Sequence, residues 1–277
     1  MSYKTLLVHI DDSRHSAARI ALSLDLAKRW DAHLIGLYAV CTDLLPDALK
    51  QSQSRPFAEL EARHAELRQK AHDSFLAAAE QAGHRSVEWR APRGPAPEVA
   101  MLHARHADLL ILGQDDSKDA ASYVAPNFVG NLVLDAGRPA LIVPHAGTVH
   151  GLGENVLIAW DGSREAARAV ADALPLLERA RYVTVDIVQH ADGPRDAPVG
   201  IDVAAWLDTH GVTTSFATTR THIGANAGAT LLNRASDLHI DLLVMGAYGH
   251  SRARERVFGG VTRTMLESMT LPVLMSH

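Results

Sequence analysis

The chain has 277 residues, 47% of them hydrophobic and 21% charged, with 27 basic against 32 acidic side chains and a net charge of −5. That length holds two ordinary domains or one large one, and the composition is that of a chain that buries a core. The acidic balance excludes nucleic acid or an anionic membrane as a general partner, though not a local basic patch, and a single cysteine, Cys41, excludes an intrachain disulfide or a cysteine-based zinc site.

The N-terminal stretch MSYKTLLVHID carries no cationic leader and no cleavage site, and no run of about 18 apolar residues follows anywhere, so a cytoplasmic protein without a membrane span is expected. Thr5–Ile10 is continuously apolar, as a parallel strand covered on both faces should be. Asp11-Asp12-Ser13 then predicts a turn and a helix N-cap, and Ala17, Ile20, Ala21 and Leu24 recur at helical spacing as one buried stripe. His33 to Val40 reads as a second strand. FAELEARHAELRQKAHDSFLAAAEQAG reads as a long amphipathic helix, and Ser86 to Arg90 as a third strand. A helix from Glu98 leads to a fourth strand at Leu109–Leu112, and a further helix leads to a fifth at Ala140–Val143. The stretch HAGTVHGLGE, with three glycines, is a linker. Beyond it, Val156–Trp160, Val183–Val188, Thr213–Thr218, Leu242–Met245 and Pro272–Met275 read as five more strands with helices between them; Pro175 should kink or end the first of those helices.

The second set of strands repeats the first. Leu7, Asp11, Ser13, Arg14, Ala17 and Ala21 match Leu157, Asp161, Ser163, Arg164, Ala167 and Ala171 at an offset of 150. ADLLILG, ending at Gly113, matches IDLLVMG, ending at Gly246, at an offset of 133. Two blocks in the same order mark one unit used twice, and the fall in offset gives the first copy 17 extra residues, assigned to the segment with the long helix. Five strands alternating with helices in each copy predict an α/β fold: two doubly wound, five-stranded parallel-sheet domains, residues 1–147 and 153–277.

In such sheets ligands bind beyond the carboxyl ends of the strands, where the strand order reverses. In the second repeat the first-strand end carries Asp161-Gly162-Ser163, and the fourth-strand end carries Gly246-x2-Gly249-x9-Gly259-Gly260. Glycines let backbone N–H groups approach phosphate, and the helix read from VTRTMLESM would offer unpaired donors at its start. Ser163 lacks a G-x-S-x-G elbow and reads as a helix cap. Sixteen scattered histidines show no metal-binding spacing, and neither a G-x-x-x-x-G-K-[ST] nor a first-strand G-x-G-x-x-G sequence occurs. In the first repeat Gly249, Gly259 and Gly260 become Asp116, Pro126 and Asn127, so only Gly113 survives and that copy is expected to have a degenerate nucleotide loop.

Two tandem units, an Asp ending strand one and G-x2-G-x9-G-(S/T) after strand four make the chain similar to the universal stress protein family over nearly its whole length. The resemblance implies a Rossmann-like, adenine-nucleotide-binding fold and one nucleotide site in the second domain, for ATP or for AMP or ADP. It places Ala159 and Asp161 at the adenine side and Val188 beside the base. Gly246, Gly249, His250, Gly259, Val261 and Thr262 fall at the phosphate loop. Gly260 departs from the pattern, since it lacks the family's hydroxyl. The implied role is a stress-response sensor or partner-binding module, with no catalytic residue and no metal. Two alternatives stand beside it: a slow ATP-hydrolysing or nucleotide-transferring enzyme, and a small-ligand or interaction protein with vestigial pockets. The resemblance also implies an internal pseudo-dimer, the two fifth strands pairing antiparallel and so covering two apolar edges; a homodimer of the full chain is left open.

Overall fold

The computed structural model describes residues 2–40, 55–147, 149, 151–190, 200–221, 226–249 and 260–277, with the side chains of 55–57, 188–190 and 220–221 left out. His250 and Gly259 lie outside them. By its internal contacts the chain divides into two compact units, Tyr3–Ala136 and one holding Gly137–His277.

The first unit runs β1 (Thr5–Ile10), α1 (Ser16–Trp30), β2 (His33–Tyr38), α2 (Arg55–Ala82), β3 (Val87–Arg90), α3 (Ala96–Ala104), β4 (Leu109–Gly113) and α4 (Phe128–Asp135), with a short 3-10 turn at Ala120–Ser122. Its strands lie in the order β3-β2-β1-β4, all parallel. Leu6, Leu7, Val8 and Ile10 are buried, as are Leu109 to Leu112, because helices cover both faces of these central strands. The order reverses between β1 and β4.

Helix α1 corrects the sequence reading twice. It begins at Ser16, with His15 at the N-cap and no side-chain bond there, because Ser13 Oγ donates to Asp11 Oδ1 at 2.6 Å instead. Its buried face holds Arg19, Ile20, Ser23, Leu24 and Ala27, while Ala17 and Ala21 are exposed. The helix is rotated from its apolar stripe because Arg19 turns inward to a buried partner, described below.

The second unit contains β5 (Ala140–Val143), β6 (Asn155–Trp160), α5 (Arg164–Leu177), β7 (Tyr182–His190), α6 (Ile201–Thr209), β8 (Thr214–Thr221), α7 (Ala227–Asp237), β9 (Leu242–Gly246), α8 (Val261–Ser268) and β10 (Val273–Ser276). The order is β5-β10-β9-β6-β7-β8. Strands β6 to β10 are parallel and repeat the first unit's arrangement with one more strand; β5 is antiparallel to β10, with Ile142 opposite Val273 and Ala140 opposite Met275. The switch point lies between β6 and β9. Helix α5 ends at Leu177, two residues past the buried Pro175, in keeping with a proline that removes a donor from the last turn. The extra residues of the first repeat appear in α2, which has 28 residues against nine in α6.

Candidate functional site

At the end of β6 the chain must turn sharply into α5. Gly162 does so with φ +75°, a left-handed conformation that glycine adopts without steric cost. Asp161 Oδ1 accepts the Ser163 N–H at 2.9 Å and its hydroxyl at 2.6 Å. Ser163 Oγ in turn accepts the Ala166 N–H at 3.1 Å and caps α5, the role its position predicts. Asp161 remains exposed.

The loop after β9 closes onto this turn. A Cβ on Gly246 would stand 2.5 Å from the Ala166 nitrogen and 2.7 Å from the Glu165 carbonyl carbon, so glycine is what lets β9 end against the first turn of α5. A Cβ on Gly249 would lie 3.2 Å from Glu165 Oε2 and 3.4 Å from Ser163 Oγ. Between the glycines, Ala247 donates to the Ser276 carbonyl at 2.9 Å and accepts from His277 Nδ1 at 2.9 Å, tying the loop to the end of β10. Tyr248 has φ +57° and donates its N–H to Thr262 Oγ1 at 3.1 Å, which ties the loop to the first turn of α8. Thr262 is buried, Val261 is half-buried, and Gly260 is the α8 N-cap without a side-chain bond. Asn226 caps α7 and donates to Thr264 Oγ1 at 3.0 Å, fastening α7 to α8. Ala159 is half-buried opposite Asp186 and Met245; Val188 pairs in register with Thr219.

Thus Ala159, Asp161, Gly246, Gly249, Gly260, Val261 and Thr262 fall in the loops and strand ends at the β6/β9 switch point. Two residues of the neighbourhood escaped the sequence reading. Glu165 is buried beside Gly249; burial pushes its carboxyl up, but its bond to Arg164 and the nearby His277 prevail and hold it below its ordinary value. Asp186 is wholly buried in β7, accepts the Thr219 hydroxyl at 2.5 Å through Oδ2, and leaves Oδ1 without a hydrogen bond.

The same place in the first repeat is filled by its own side chains. Arg19 is 2% exposed; its Nε donates to the His9 carbonyl at 2.7 Å, and its Nη2 stands 2.9 Å from Asp11 Oδ2, off the line of a hydrogen bond but close enough to pair charges. Its Nη1 packs so tightly on Gly113 that a Cβ there would approach to 2.0 Å. Burial pushes the Asp11 carboxyl up, and the Arg19 charge with help from His9 and Ser13 overcomes it, leaving the group below the usual carboxylate range. His9 is itself lowered by burial, and its Nε2 donates to the Ala39 carbonyl at 2.7 Å. Asp116, at the position of Gly249, is 2% exposed. It meets His15 Nε2 at 3.0 Å, accepts the Lys118 N–H at 3.0 Å and accepts from Arg14 Nη2 at 2.6 Å, and these donors hold its carboxyl far below the ordinary range.

Among the described residues no group of His, Cys, Asp or Glu is placed to hold a metal ion, and no helix is long and apolar enough to cross a membrane.

Two successive units with this strand order, each with an acid ending its first strand and a glycine ending its fourth, define a tandem α/β protein built from one repeated unit. The family model of the Universal stress protein family matches residues 2–144 and 153–277, and the chain belongs to that family. A universal stress protein from Archaeoglobus fulgidus superposes with a TM-score of 0.73 at 16% identity, covering 98% of this chain and 95% of its own. A protein from Pseudomonas aeruginosa described as a universal stress protein gives a TM-score of 0.55 at 16% identity, with 99% and 93% covered. A universal stress protein in complex with cAMP matches 52% of this chain and 98% of its own at 21% identity, with a TM-score of 0.36. No curated protein matches the sequence.

Proposed function

We propose that the chain binds one adenine nucleotide, ATP or a lower phosphate of it, in its second repeat and serves as a nucleotide-dependent stress-response sensor or partner-binding module. The observation that carries this reading is the junction at Gly249, where the β9 loop meets Ser163 on one side and, through Tyr248, the first turn of α8 on the other. A helix start whose N-cap residue is glycine leaves backbone donors and the favourable end of the helix dipole for phosphate. Asp161, exposed and with Oδ2 in no hydrogen bond to the described residues, is left to accept from base or ribose. Ser163 Oγ is committed to Asp161 and to the Ala166 N–H, so it is no nucleophile, and the reading assigns no turnover.

Calorimetric titration of the full chain with ATP tests this. About one site per chain is expected, and Gly249→Asp should abolish it by placing a carboxylate in the phosphate loop. Two equal sites, or none at millimolar ATP, would overturn the reading. The buried Glu165 carboxylate beside Gly249 favours a second reading, in which the pocket takes an uncharged small ligand. Adenosine binding as well as ATP would support that alternative.

A further inference from the structure

Asp186 is the one described carboxyl that is completely buried and still has an oxygen with no hydrogen bond. Thr219 satisfies Oδ2, and Oδ1 has nothing. In register, Asp186 lies between Ala159 on β6 and Ala217 on β8, two side chains that can offer it no donor. Alternation along β7 sets it on the face opposite Ile187, the residue that packs with Phe216 on Gly200 at the start of α6. The first repeat has no such group: β1 and β2 pair as β6 and β7 do, and the matching position is Leu37, also completely buried. A buried acceptor without a donor is costly, and native structures leave few of them. This one occurs only in the repeat whose fourth-strand glycines are retained, directly across from Ala159 at the switch point.

We infer that Asp186 Oδ1 accepts a hydrogen bond from the exocyclic amino group of the bound base, so that Asp186 makes the site prefer a 6-amino purine over a 6-oxo purine. The inference rests on the proposed nucleotide site. A flat base is the part of a nucleotide that goes deepest, while sugar and phosphates stay towards the exposed Asp161 and the start of α8. Ala159, half-buried, sets only a methyl group beside that acceptor, which needs a donor that the ligand brings. An amino group supplies that donor, whereas a 6-oxo group would set one acceptor against another.

The test uses the full chain and two probes that differ only at that atom, ATP and inosine triphosphate, with affinities from calorimetry. The wild type should bind ATP about tenfold more tightly, the discrimination expected when a buried acceptor is left facing a second acceptor instead of a donor. In Asp186→Asn the amide oxygen takes the Thr219 hydroxyl and its NH2 faces the base, so the ratio should fall to one or below. Asp186→Leu, which copies the first repeat, should also erase the preference, because the orphan acceptor is gone. If ATP binds and the ratio is unchanged in both variants, the inference is overturned and the nucleotide site stands. If both variants weaken the two probes equally, Asp186 only holds β7 to β8 through Thr219, and the inference is again overturned. A wild type that prefers inosine triphosphate also overturns it. A wild type that binds neither probe overturns the underlying nucleotide reading as well.

Discussion

Asp11 and Asp161 end the same strand of the same repeated unit, yet Asp11 is 6% exposed beneath a guanidinium while Asp161 stands in solvent. The cause lies eight residues on. Arg19 reaches in from α1, and its counterpart at the offset of 150 is Ala169, which fills the same helical turn with a methyl group. The fourth-strand loop shows the converse. Asp116 brings an anion to the donors Arg14 and His15, where the second repeat has Gly249 facing Glu165. A duplicated fold can therefore fill its switch point from within, with one inserted cation and one inserted anion, or do without both.

The largest effect should come from breaking the internal cation. Arg19→Met leaves the Asp11 carboxylate buried without its partner, and losses of about 3–5 kcal/mol are typical when one member of a buried pair is removed. Thermal unfolding of the full chain would show it as a lowered midpoint. The pH dependence gives the sign. The folded Asp11 titrates below its unfolded value, so the pair's contribution is complete above about pH 4 and disappears as pH falls through the lower folded value. Arg19→Met should flatten that part of the acid limb; an unchanged slope would mean that the pair is not what holds the carboxyl down.

Next in size is the glycine that ends each fourth strand. Gly246→Ala forces a methyl to 2.5 Å from the Ala166 backbone nitrogen, which can yield only if α5 moves, at roughly 1–3 kcal/mol. Gly113→Ala meets the tip of the flexible Arg19 side chain instead, so its cost should be felt as a disturbed Asp11 pair. Equal responses to pH in the two variants would contradict that distinction. A smaller effect is expected where charges were exchanged between the repeats. Gly249→Asp sets a carboxylate against Glu165, and stability should fall along with ATP binding. Adding Glu165→His recreates the His15–Asp116 arrangement and should restore stability but not binding. If the second change rescues neither, the two junctions are not equivalent. Smallest is the serine. Ser163→Ala removes a true cap and should cost about 1 kcal/mol, whereas Ser13 caps nothing in α1, so Ser13→Ala should cost less.

Much of this comparison was legible in the sequence. Apart from β8, which runs three residues past its expected end at Thr218, the strands stand within a residue or two of where they were read, because a buried parallel strand is a local pattern. The long α2 follows from the change of offset, and the Ser163 cap from a side chain whose job lies three residues away. The charged interior was not legible. Arginine at position 19 is exposed by any rule of composition, and only the arrival of Asp11 and Gly113 from separate strands makes its burial tolerable. Ala17 and Ala21 look like a core stripe, but the stripe is set by what the helix must cover. Glu165 and Asp186 escaped for the same reason: a single acid in an apolar stretch says nothing about the partner it finds or lacks.

The strand β5 belongs by sequence to the first repeat and by its contacts to the unit that holds Gly137–His277. The unit that was copied and the unit that packs are thus different lengths of chain. Removing the first repeat would therefore not leave the second unit intact. Here, deletion at the repeat boundary would strip the second half of the strand beside β10 and uncover Val273, Leu274 and Met275, all completely buried. What the second unit takes from the first repeat is the four residues of β5, whatever fills the first repeat's switch point.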